Sequence, residues 1–134
     1  MEFRNGAELL ELCAREDCLI SQVMRRRECE QGEAAPDRVE ARMARALEIM
    51  RESATQPLKT PVRSMGGLIG GEAKRLATHA AKKKALCGPV LQRAITYAMA
   101  VLEVNASMGL IVAAPTAGSS GVVPGLLLAL QDEY

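Results

Sequence analysis

Apolar positions recur along this chain at the spacing of α-helices, and they predict an all-α fold of about five to six helices. The clearest stripe is Val39, Met43, Ala46, Leu47 and Met50, at i, i+4, i+7, i+8 and i+11. Arg38, Arg42, Arg45 and Glu48 take the opposite face, and Pro36 opens the helix. Methionines on such a stripe read as core filling. Upstream, Asn5 and Glu8 have the spacing of a capping box, so a short helix should carry Leu9, Leu10 and Cys13. A second run, Leu19, Ile20, Val23 and Met24, is expected to end among Arg25, Arg26 and Arg27, where a helix dipole favours cations. Gly32 then breaks the pattern.

Residues 55–71 read as loop, with Pro57, Pro61 and the pairs Gly66–Gly67 and Gly70–Gly71. A helix follows through Ala73, Leu76, Ala77 and Ala80, ending in Lys82, Lys83 and Lys84. Gly88–Pro89 should start a long helix to about Asn105. Its apolar residues leave a narrow polar stripe of Gln92, Arg93, Thr96 and Glu103, the pattern of a buried helix. Between residues 85 and 131 the chain carries two charges, Arg93 and Glu103, too few to cover a free surface. The expectation is an N-terminal portion, or one half of a split protein, that needs more polypeptide to bury its last third.

Composition removes several classes of function. Net charge is +1 and the aromatic residues are Phe3, Tyr97 and Tyr134, so neither a basic field nor stacking platforms for nucleic acid are present. The uncharged stretch 104–131 is broken by four glycines and two prolines, which argues against a membrane span. Cys13, Cys18, Cys29 and Cys87 form no CxxC pair and the lone His79 stands apart, so no metal ligand is assigned. No secretory signal opens the chain, and reduced thiols in a cytoplasmic protein are expected. The glycine pairs make neither a P-loop nor GxGxxG. Lys74 and Arg75 offer a base or carboxylate clamp, though a solvated helix face explains them as well.

Residues 115–125, PTAGSSGVVPG, are the most informative of the chain. Thr116, Ser119 and Ser120 bring hydroxyls, Gly118 and Gly121 allow close backbone approach, and Pro124 is read as the first position of another helix. Free amides at such a helix start suit a carboxylate or phosphate. A tight turn between packed helices would use the same residue types. Asn105, near this segment, is open to two readings: ordering the loop or touching an amine, or ending its helix.

The stretch EVNASMGLIVAAPTAGSSGVVPG, residues 103–125, resembles the alpha chain of bacterial iron–sulfur L-serine dehydratase (L-serine ammonia-lyase). FRNGAELLELC near the start, the GG(E/D)A segment at residues 70–73 and LCGPVLQRAI at residues 86–95 follow in family order. The resemblance covers residues 1–134 as the N-terminal portion of a helical catalytic domain. It implies a [4Fe–4S] cluster held by three cysteines, acting as a Lewis acid while a base removes the α-proton of L-serine. Loss of water then gives aminoacrylate, which hydrolyses to pyruvate and ammonia. The family's cluster motifs, GGCQ, CDPVAG and VPC, do not occur here, so the ligands are expected in the missing C-terminal half of the alpha chain. A beta chain is the further partner implied, and this chain is expected to be inactive alone. Carried onto this sequence, the substrate side consists of Thr116, Gly118, Ser119, Ser120, Gly121 and Asn105, with the catalytic base unassigned. The competing readings are a noncatalytic helical interaction module or a degenerate fragment.

Overall fold

A computed structural model describes residues 2–82 and 86–134; Lys83 and Lys84 of the expected lysine run lie outside the described residues. Six helices and no strand occur among them, as the periodicity predicts. The chain divides into two compact units, residues 1–45 and 46–134.

In the first unit, α1 (Gly6–Arg15) begins at Asn5, whose side-chain oxygen accepts the Glu8 amide at 3.0 Å. The Glu8 carboxylate returns to the Arg4 amide and the Asn5 side-chain amide, at 2.7 and 2.9 Å, so the box closes one residue earlier than its usual form. Helix α2 (Ile20–Gln31) is opened by Gln22, whose side chain accepts the Leu19 amide at 2.8 Å. It does not stop at the arginines. Arg25, Arg26 and Arg27 lie in mid-helix, because arginine is a good helix former, and the helix ends at Gly32. Their neighbours explain them better than the dipole does: Arg25 pairs with Glu40, and the Arg27 guanidinium lies 4.3 Å over the Phe3 ring.

Helix α3 (Pro36–Lys59) runs twelve residues past Leu47 and takes the first part of the expected loop with it. Pro57 sits in its last turns with its ring fully buried. The end falls where the Thr60 amide reaches the Gln56 carbonyl at 2.9 Å, and the Lys74 ammonium caps the Lys59 carbonyl at 2.8 Å. The stripe on α3 is buried unevenly. Val39 is buried, but Met43 is 69% and Leu47 41% exposed, so those side chains are not core filling within the described chain.

The second unit adds α4 (Glu72–Lys82), α5 (Pro89–Ala106) and α6 (Val122–Glu133), with α5 packed against both of the others. Ala54, Val101 and Leu128 form its core, with Tyr97 and Ile111 against them. Gly88 and Pro89 start α5 as expected. Burial along α5 does not follow its polar stripe. Thr96 and Glu103, from the polar stripe, are buried, whereas Leu91, Ile95 and Leu102 are exposed. On α6, Val122, Val123, Leu126, Leu127 and Leu130 are exposed as well. No described helix is long and apolar enough to cross a membrane.

The end of α6 is fastened by polar pairs. The Tyr97 hydroxyl donates to Asp132 at 2.5 Å, Arg93 meets Glu133 at 3.4 Å, and Arg51 donates to Gln131 at 2.9 Å. Burial first, and the Asp132 carboxylate second, push the Tyr97 phenol up to about 12 from its ordinary 10. A phenol whose pKa is raised on folding stabilises the fold fully below pH 10 and ceases to do so as pH climbs through about 12. The urea midpoint should therefore fall across that window, and Tyr97→Phe should flatten the fall. An equal slope in both proteins would show that this pair contributes nothing.

Candidate functional site

The expected site lies where α5 ends and α6 begins. Ser107, Met108 and Gly109 turn the chain out of α5: Ser107 donates to the Glu103 carbonyl at 3.0 Å and Gly109 to that of Val104 at 2.8 Å. Met108 takes the left-handed conformation, φ 63°, so that role does not fall to Asn105. Asn105 stays helical and exposed, and no side-chain hydrogen bond joins it to the loop among the described residues. An irregular stretch then leads to a cis Ala114–Pro115 bond and the turn at residues 116–121.

Inside that turn Ser119 is the hub. Its hydroxyl lies 2.9 Å from both the Thr116 hydroxyl and the Ala114 carbonyl. A carbonyl can only accept, so the Ser119 hydroxyl donates to the carbonyls, Ala114 at 2.9 Å and Thr116 at a longer 3.2 Å, and the Thr116 hydroxyl donates to Ser119. The Thr116 amide also approaches Ser119 Oγ, at 3.3 Å. Ser120 points inward, 1% exposed, with its hydroxyl on the Ala117 carbonyl at 2.7 Å. Gly121 is buried as the N-cap of α6, where a Cβ would stand 2.6 Å from the Ala98 carbonyl oxygen. Thr116, Ala117 and Gly118 form the exposed rim.

The helix start differs in detail from the sequence expectation. Pro124 is the third residue of α6, not the first. It is still tolerated in the first turn, where its missing amide would have no helical partner. It also subtracts one donor from any anion site there. The Ser119 and Ser120 amides reach the Thr116 and Ala117 carbonyls at a long 3.3 Å, and the Val122 amide reaches Ser119 at 3.0 Å. The amides of Ala117 and Gly118 carry no such bond within the described chain. No charged residue occurs between 104 and 131, so whatever binds this rim meets hydroxyls, amides and a helix N-terminus, with no competing carboxylate on the same segment.

The other polar candidates lie on α4 or in the first unit and the loop before α5. Lys74 is spent on α3's last carbonyl, and Arg75 pairs with Glu72 at 2.7 Å. His79 is exposed on α4. Cys13, Cys18 and Cys29 are half-buried and Cys87 exposed, all as free thiols. Among the described residues no three His, Cys, Asp or Glu side chains gather as a metal-holding group.

One residue escaped the sequence reading. Glu103 is 2% exposed, and its Oε1 accepts the Ala73 amide in the first turn of α4 at 2.7 Å, while Oε2 has no hydrogen-bond donor among the described residues. The available signal was a lone carboxylate in a helix otherwise nearly free of charge. It joins the GGEA segment to the helix that carries EVNASMG.

A helical chain with a hydroxyl-lined glycine turn ahead of an apolar helix is the class of protein that fold and site define. The family model described as "Serine dehydratase alpha chain" matches residues 15–134, and the chain belongs to that family. It is 42% identical over 131 residues to the "Probable L-serine dehydratase, alpha chain" of Bacillus subtilis (strain 168), covering 98% of this chain and 43% of that one. To the "L-serine dehydratase, alpha chain" of Peptoniphilus asaccharolyticus it is 33% identical over 127 residues, 95% of this chain and 44% of the relative. The "L-serine dehydratase" of Helicobacter pylori (strain ATCC 700392 / 26695) is 31% identical over 133 residues, with 28% of its length covered. The chain thus spans less than half the length of these curated relatives. No solved structure matches it at a significant level.

Proposed function

We propose that this chain is the N-terminal portion of the catalytic domain of an L-serine ammonia-lyase, converting L-serine to pyruvate and ammonia in the cytoplasm. The observation that carries the reading is the turn at residues 116–121, in a chain related to serine dehydratase alpha chains over nearly its whole length. The substrate carboxylate rests on the exposed rim of Thr116, Ala117 and Gly118, against the amides there and the positive end of α6. Ser119 holds Thr116 in place; Ser120 and Gly121 shape the turn from within. Asn105, exposed on the last turn of α5, faces the substrate amine.

The reaction removes the α-proton and the β-hydroxyl, and aminoacrylate hydrolyses to pyruvate and ammonia. A [4Fe–4S] cluster would supply Lewis acidity toward the leaving hydroxyl. Its cysteines belong to the polypeptide that the relatives carry beyond this match, and a beta chain completes the assembly. The isolated chain is accordingly inactive, and its exposed apolar residues on α5 and α6 are covered in the complete enzyme.

In a complete alpha–beta enzyme, Thr116→Val should raise KM for L-serine about three- to tenfold, because it removes the hydroxyl that ties the rim to Ser119, the worth of about one neutral hydrogen bond. Ser119→Ala should do the same by releasing Thr116. Steady-state kinetics on both variants, with melting curves alongside, test the reading. An unchanged KM in well-folded variants would reduce the segment to a connecting turn.

A further inference from the structure

We infer that the turn at residues 64–69 is a preformed apolar knob that seats in a socket on the remainder of a serine dehydratase alpha chain. The inference rests on the functional reading above, since that remainder is its occupant. Loop tips ordinarily carry small or polar side chains. This one presents Met65 at 85% and Leu68 at 91% exposure, and no charged residue occurs from 64 to 71.

The turn is closed, not loose. Ser64 donates its amide to the Ile69 carbonyl at 2.8 Å and accepts the Ile69 amide on its hydroxyl at 3.1 Å. Its carbonyl takes the Gly67 amide at 2.9 Å, with Gly67 at φ 69°. The base is pinned as firmly. A Cβ on Gly70 would stand 2.5 Å from the Val62 carbonyl oxygen, and the Gly70 amide donates to Glu72 at 2.6 Å. A rigid turn that holds two large apolar side chains in water gains nothing within this chain. A preorganised anchor lowers the ordering cost of an interface, which is what such a turn supplies to a partner. The relatives at 42% and 33% identity keep more than half their length outside the match, which is the length of chain available to form the socket.

The test uses this chain and, as a separate polypeptide, the part of the Bacillus subtilis relative that it does not match. Titration calorimetry should give a Kd at least tenfold weaker for Met65→Ser/Leu68→Ser. The melting temperature of the free chain should stay unchanged, because both side chains are already in water. Ser64→Ala should weaken binding about threefold while leaving the tip intact. An unchanged Kd for the double variant overturns the knob and leaves the functional reading standing. Self-association of the free chain that the double variant abolishes assigns the turn to a second copy and overturns it too. No binding by the unsubstituted chain removes both.

Discussion

Gly125→Ala should destabilise the 46–134 unit by about 2–3 kcal/mol, although the same exchange in an open helix stabilises by roughly 0.5–1 kcal/mol. The sign reverses because α6 crosses α5 backbone to backbone. A methyl at 125 would lie 2.7 Å from the Ala94 carbonyl oxygen, 3.1 Å from the Ala98 amide nitrogen and 3.2 Å from the Ala98 Cβ. Neither carbonyl nor amide can rotate away as a flexible side chain would, so α6 has to move. Gly121→Ala meets the Ala98 carbonyl oxygen at 2.6 Å and has a further consequence, because displacing the N-cap displaces the Thr116–Ser119 pair beside it. Urea unfolding reads both effects. Gly6→Ala, with nothing within 4 Å of the added carbon, is the control and should be neutral or slightly stabilising. If Gly125→Ala behaved like Gly6→Ala, the close crossing of α5 and α6 would be wrong.

What was legible in the sequence is what short-range chemistry decides. Asn5 with Glu8, and Gly88 with Pro89, fix helix starts through atoms a few residues apart, and both starts fall where their spacing puts them. Helix ends were harder. Arg25, Arg26 and Arg27 suit a helix interior as well as a terminus, so composition alone does not stop α2 there. Pro57 reads as a breaker, yet α3 runs two residues past it and ends where Lys74, fifteen residues on, caps the Lys59 carbonyl. Which side of a helix is buried was least legible of all. Thr96 and Glu103 belong to the polar stripe of α5 yet are buried, because their side chains bond the Gln92 carbonyl and the Ala73 amide, partners that the stripe itself does not reveal. The same holds at the candidate site. Composition marks the turn at residues 116–121, but the inward direction of Ser120 and Gly121 depends on Ala117 and on distant Ala98.

The second large effect is expected at Glu103. Glu103→Ala should cost about 3 kcal/mol, because it strands the buried Ala73 amide and leaves a void where a carboxylate stood. Glu103→Gln keeps an oxygen for that amide and fills the same volume, so its cost should be nearer 1 kcal/mol, the worth of a charge at a helix N-terminus. The gap between the two variants is the informative quantity. It separates a carboxylate that serves as an acceptor from one whose charge is what matters. Hydrogen exchange locates the damage: in the alanine variant the Ala73 amide should lose its protection first, while the amides of α6 keep theirs until the unit unfolds. Equal losses for alanine and glutamine would mean that charge, and not the hydrogen bond to Ala73, joins α4 to α5. Loss of protection across α4, α5 and α6 together in the alanine variant would mean that Glu103 supports the whole unit. In that case the GGEA turn and the EVNASMG helix could not be separated by any single substitution at this position.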